Sequence, residues 1–93
     1  MNKNKALPKG LKISKHSTGL EAVLYQTRIV SVFGNSLILR SGGWLTPHTK
    51  KCINLILSQN ETGMNVAQVK GKWIVSKRDG KTVPFEDGMV VSL

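Results

Sequence analysis

Ninety-three residues, 40% of them hydrophobic, fit one small domain with a packed core and leave no room for a second. A lone Cys52 excludes an internal disulfide and fits a reducing compartment, and no apolar run approaches the roughly 18–20 residues that span a bilayer. Fourteen Lys and Arg stand against five Asp and Glu, a net charge of +9 that favours acidic partners: nucleic acid, an anionic protein face, or less readily a membrane surface. The early lysines are followed by no hydrophobic segment, so a secretion signal is not expected and the reading is cytoplasmic.

Lys3, Lys5, Lys9, Lys12 and Lys15 all precede residue 17 with no acid among them. They alternate with Pro8, Gly10, Ser14, Ser17 and Thr18, and only Leu7, Leu11 and Ile13 offer apolar surface to offset the entropy of ordering. Residues 1–18 are therefore expected to be a flexible basic arm, with at most a short extended piece at 11–14. Residues 19–93 form the folded domain.

Val23 to Phe33 is rich in β-branched and aromatic residues and leads to Gly34-Asn35, then Ser36-Leu37-Ile38-Leu39-Arg40. Glycine first in a two-residue loop suits a type II′ hairpin turn, because it takes positive φ without a steric penalty. The turn sets Val32 opposite Leu37, Val30 opposite Leu39 and Arg28 opposite Ser41. Val30, Val32, Leu37 and Leu39 then share one face, as a half-buried hairpin needs.

Gly42-Gly43 ends the second strand of this hairpin. Thr46 is placed to cap a helix that starts at Pro47, where the missing N–H is not needed, and runs to about Asn60. At 100° per residue Thr49, Cys52, Ile53, Ile56 and Leu57 form one stripe, with Lys51, Asn54 and Ser58 opposite and Leu55 off the stripe. Beyond Glu61-Thr62-Gly63 come further strand runs. Asp79-Gly80 between Trp73–Ser76 and Thr82–Phe85 marks a hairpin, Pro84 marks an edge, and Met89-Val90-Val91 is a short last strand. The fold class is α+β: an antiparallel sheet with one helix, in the order β-β-α-β-β-β. A small β-barrel with an inserted helix is the alternative.

The glycine turn and helix start form the candidate site. Unpaired N–H groups of the first helical turn, with those of Gly42 and Gly43, would make an anion-binding nest, and Thr46, His48, Thr49, Lys50 and Lys51 would supply phosphate partners. The spacing is not that of a nucleotide-hydrolase phosphate loop, and a plain strand-to-helix turn capped by Thr46 explains the same residues. Trp44 would stack on a base or anchor the helix in the core; Trp73 reads as core. Lys70, Lys72, Lys77, Arg78 and Lys81 flank two turns and would form a second basic patch at one end of the sheet. His48 and Cys52 stand four apart, too few ligands for a metal site, and this pair has no third group for nucleophilic catalysis. Glu86 and Asp87 are adjacent in a turn and read as solvated. No metal, cofactor or catalytic residue is assigned.

The segments Leu24–Val30, Ser41-Gly42-Gly43-Trp44, Thr49-Lys50-Lys51, Ile53-Asn54 and Asp79–Gly88 resemble a group of small uncharacterised bacteriophage-encoded proteins. The resemblance covers most of residues 23–92 and leaves the basic arm outside. Leu45 and Cys52 stand where that group often has other residues. The resemblance implies a phage origin, the host cytoplasm as the place of action, and tasks such as host takeover or anti-defence. The expected function is non-enzymatic, non-specific nucleic-acid binding through the arm and the Gly42-Gly43 turn. The alternative is inhibition of an acidic host protein in a defence or transcription complex.

Overall fold

The computed structural model describes residues 7–93. Four strands precede the helix and four follow it: β1 (Leu11–His16), β2 (Gly19–Leu24), β3 (Thr27–Phe33), β4 (Ser36–Leu39), α1 (Pro47–Gln59), β5 (Asn65–Val69), β6 (Lys72–Ser76), β7 (Thr82–Pro84) and β8 (Met89–Ser92). They form a five-stranded antiparallel sheet in the order β1-β2-β3-β4-β8 and a three-stranded one in the order β5-β6-β7. The α+β class with one helix holds; neither sheet closes into a barrel.

The main departure from the expected order lies at the start of the chain. Residues 11–16, placed in a flexible arm, are β1, paired along its whole length with β2. A strand needs only one apolar face, and alternation supplies it: Leu11 is buried and Ile13 packs on the core, while Lys12 and Ser14 stay exposed. Across the ladder Leu20, Ala22 and Leu24 alternate in the same way. Lys3 and Lys5 lie outside the described residues.

The run from Val23 to Phe33 is not one strand. It is cut by a turn at Tyr25-Gln26, where Tyr25 adopts φ 56. A β-bulge then follows, since Ala22 faces Val30 while Val23 faces Arg28, leaving Ile29 as the extra residue. The bulge lets consecutive Ile29 and Val30 both reach the core.

The β3–β4 hairpin has the expected register, Val32 to Leu37 and Val30 to Leu39, around Gly34 at φ 57. Its ladder stops there. Ser41 does not pair with Arg28, because its backbone turns to meet residue 87.

Thr46 caps α1, its hydroxyl accepting from Thr49 N–H at 3.2 Å, with Pro47 opening the helix. The buried positions of α1 are Thr49, Cys52, Ile53, Ile56 and Leu57, the stripe expected from the period. Leu55 also packs against the core because β5 comes alongside the helix. Asn54, opposite the stripe, reaches this strand as well: its amide donates to Val66 O at 2.8 Å and its oxygen accepts from Val66 N–H. Trp73 is core, edge-to-face with Phe85 at 5.3 Å, and Pro84 sits on the edge strand β7.

Candidate functional site

The double-glycine turn holds an anion, and the anion belongs to the chain. Asp87 accepts hydrogen bonds from the Ser41 N–H, the Ser41 hydroxyl at 2.7 Å and the Gly42 N–H at 3.0 Å. Gly43 N–H donates to Ser41 Oγ at 3.1 Å. Gly42, at φ 65, lies against Thr27, where an added Cβ would come within 2.7 Å of the Thr27 hydroxyl. The donors expected to cradle a phosphate are thus already occupied, and Asp87, though exposed as expected, is also a structural ligand. Nothing local in the sequence joins residues 41 and 87.

Partial burial by itself raises the Asp87 pKa, but the hydrogen bonds from Ser41, Gly42 and the neighbouring Gly43 outweigh it, so the net direction is down. A carboxyl lowered in the folded state stabilises the fold fully above its unfolded pKa, about 3.9, and loses that contribution as pH falls through the lower folded value. Asp87→Asn should therefore cost about 1–2 kcal/mol at pH 7, less than a fully buried charged hydrogen bond would. The deficit relative to the parent chain should shrink as pH drops below about 4. Urea unfolding of both proteins across that range is the measurement.

The start of α1 offers little else to an anion. Pro47 has no N–H, and Thr49 N–H is bound to its cap. His48 Nε2 lies 2.9 Å from the Lys9 carbonyl oxygen and 3.8 Å from Cys52 Sγ. Cys52 is fully buried, and burial pushes its thiol pKa up in spite of nearby Lys51. That is the environment of an inert thiol, not an activated one. Among the described residues no three His, Cys, Asp or Glu side chains gather closely enough to hold a metal ion.

Trp44 is not a core anchor. It is 65% exposed, against 7% for Trp73. With Tyr25, 61% exposed, it lines a cleft of about 560 Å³ between the β2–β3 turn and the start of α1. Leu24, Ile29, Ser41 and Thr49 form its floor with almost no accessible surface of their own, and Gln26, Thr27, Thr46 and His48 bring polar groups to its sides. Tyr25 is tied down by its N–H to the Gly10 carbonyl at 2.8 Å, and its ring covers Gly10 so closely that an added Cβ would fall 2.5 Å from it.

The structure therefore brings Trp44, Thr46, His48 and Thr49 together in one cleft, with Lys50 adjoining Thr49 and Lys51 exposed on the next position. Gly42 and Gly43 are committed to Asp87 and Ser41 instead. The second basic patch is split. Lys70 and Lys72 sit at the β5–β6 turn and Lys77, Arg78 and Lys81 at the β6–β7 turn, which are opposite ends of β6. Sequence reasoning missed Tyr25, Gln26 and Thr27, because their turn contains no glycine, proline, asparagine or aspartate to mark it.

The described residues thus form a small α+β domain with an open cleft that carries two exposed aromatic rings. The chain belongs to the Kyanoviridae Gp96 protein family, a family of small phage proteins, whose family model matches residues 9–92. That match takes in Lys9, Lys12 and Lys15, which the resemblance left outside. No curated protein and no solved structure matches the chain. Among the described residues no helix is long and apolar enough to cross a membrane.

Proposed function

We propose that this protein binds nucleic acid without catalysing a reaction, through its exposed basic side chains. The observation that carries this reading is uncompensated charge. Fourteen lysines and arginines less Lys3 and Lys5 leave twelve among the described residues, and of these only Arg28 lies within ion-pair distance of a carboxylate, Glu21 at 3.6 Å. Glu21 also faces His16 at 3.5 Å, and the Asp87 charge is absorbed by the glycine turn. The acids thus do little to neutralise the lysines.

Lys50 follows the cleft residue Thr49 on α1, and the Lys9 carbonyl contacts His48. Lys12 and Arg28 both pair with Val23, one on each side, and so stand about 10 Å apart on the sheet face that points away from α1, where Glu21 meets Arg28.

Binding of labelled DNA and RNA should be micromolar to sub-millimolar at moderate salt and weaken steeply as salt rises. Lys12→Gln should lower the slope of log K against log salt by about one. Absence of binding at low salt would reject the reading. Truncation is a poor test, because removing residues 1–18 would delete β1.

A second reading, inhibition of a host protein, draws on apolar groups of the sheet face that points away from α1. Val90, 66% exposed, pairs with Ile38, and half-exposed Phe33 shares their side of the sheet. A stoichiometric complex from host lysate that survives nuclease treatment would favour this reading over the first.

A further inference from the structure

We infer that the Tyr25–Trp44 cleft seats an unpaired base of a single strand, so that the protein distinguishes single-stranded from duplex nucleic acid. This rests on the nucleic-acid reading and names the ligand of its cleft.

Three observations converge. The first is the shape and lining. About 560 Å³ is within the range of sites that enclose small organic groups, roughly 300–1,000 Å³. The walls are aromatic and aliphatic, with a few hydrogen-bonding side chains among them, as a flat heterocycle with polar edges requires. Trp73 and Phe85 pack on each other, whereas among the described residues Tyr25 and Trp44 have no aromatic partner and are 61% and 65% exposed, the Tyr25 ring resting on Gly10.

The second is strain. Tyr25 at φ 56 occupies a left-handed conformation that a bulky side chain rarely adopts, and the ring so placed is not buried in the core. The contact with Gly10 holds the ring in this conformation, and the rest of the ring stays open to solvent, 61% exposed.

The third is charge. No carboxylate lines the cleft, Lys50 follows its lining residue Thr49, and the protein as a whole carries a net charge of +9. The one carboxylate bound to a lining residue, Asp87 on Ser41, is held by hydrogen bonds. The surroundings suit a base attached to a phosphodiester backbone, not an acidic peptide with carboxylates alone. A base inside a duplex is stacked on its neighbours and cannot enter.

The test uses the full chain and three probes of about twelve nucleotides, comparable to single-strand site sizes: a single-stranded DNA, its duplex, and a strand of equal charge that lacks bases. Trp44→Ala and Tyr25→Asn are the variants. Both side chains are mostly exposed, and asparagine tolerates the Tyr25 backbone, so folding is retained and melting curves verify it. Each variant should bind the single strand about tenfold more weakly. Duplex and base-free binding, and the salt slope, should be unchanged. The single strand should also quench the fluorescence of the parent chain, with the quench lost in Trp44→Ala. If the parent chain binds all three probes alike and the variants match it, the cleft inference is overturned while nucleic-acid binding stands. If no probe binds at low salt, the broader reading fails and takes the inference with it.

Discussion

Gly19→Ala should lose about 3 kcal/mol of stability, seen as a lower urea midpoint at unchanged m-value and a melting point lower by more than about 10 °C. Gly19 opens β2 opposite Phe33. A Cβ there would lie 1.7 Å from the Val32 carbonyl oxygen and 2.7 Å from its carbon. These are backbone atoms in a paired strand, so no side-chain rotation relieves the clash. The β1–β2 turn would have to move away from β3, and it would take the Thr18 carbonyl from the Gly34 N–H it now accepts at 3.1 Å. Gly34→Ala is the control. Its added methyl meets nothing within 4 Å, and only the φ of 57 is unfavourable, a cost of about 1–2 kcal/mol. Equal losses in the two variants would show that close approach at Gly19 is not what limits it.

The second large effect is expected at Asn54. Its amide makes two hydrogen bonds with Val66, donor to carbonyl and oxygen to N–H, on a residue only 1% exposed. β5 is an edge of its sheet, and at this point the helix side chain serves as its next strand. Asn54→Ala strands both Val66 groups away from water, at about 1–3 kcal/mol for each unsatisfied group and thus roughly 3 kcal/mol together. Asn54→Asp should rescue little, since a carboxylate still accepts from Val66 N–H but faces the Val66 carbonyl without a proton to give. Hydrogen exchange at Val66 is the direct measurement. Its amide should lose protection in Asn54→Ala and keep more of it in Asn54→Asp, and full protection in Asn54→Ala would contradict the contact.

The elements that were legible in the sequence are those with local causes. The β3–β4 register follows from Gly34-Asn35 and alternating valine and leucine, and the helix follows from Thr46, Pro47 and a stripe of period 3.6. β1 was obscured by composition. Lysine density suggested disorder, yet Leu11 and Ile13 supply enough of an apolar face when Leu20, Ala22 and Leu24 stand opposite. The Tyr25 turn was illegible because it forms against residue preference, under restraint from Gly10.

Long-range polar contacts were also out of reach. Asn54 looked solvent-facing as long as the arrival of β5 beside the helix was unknown. The Gly42-Gly43 turn was expected to hold a phosphate, but its N–H groups bind within the chain, to Asp87, 45 residues distant from Gly42, and to Ser41. Trp44 was identified as either platform or anchor, and the choice depended on whether an element covers it. Among the described residues none does: it remains 65% exposed.

β4 and β8 are neighbours in the sheet although α1 and the whole three-stranded sheet lie between them in the chain. That connectivity has a kinetic consequence. β1 to β4 pair through short turns and can zip up from local contacts, whereas β8 docks only after a long loop closes, at an entropic cost that native contacts recover late. The Asp87 carboxylate bound at Ser41 sits at the mouth of that loop, immediately before β8. Weakening it should accelerate unfolding more than it slows folding, because its contacts form after the rate-limiting step.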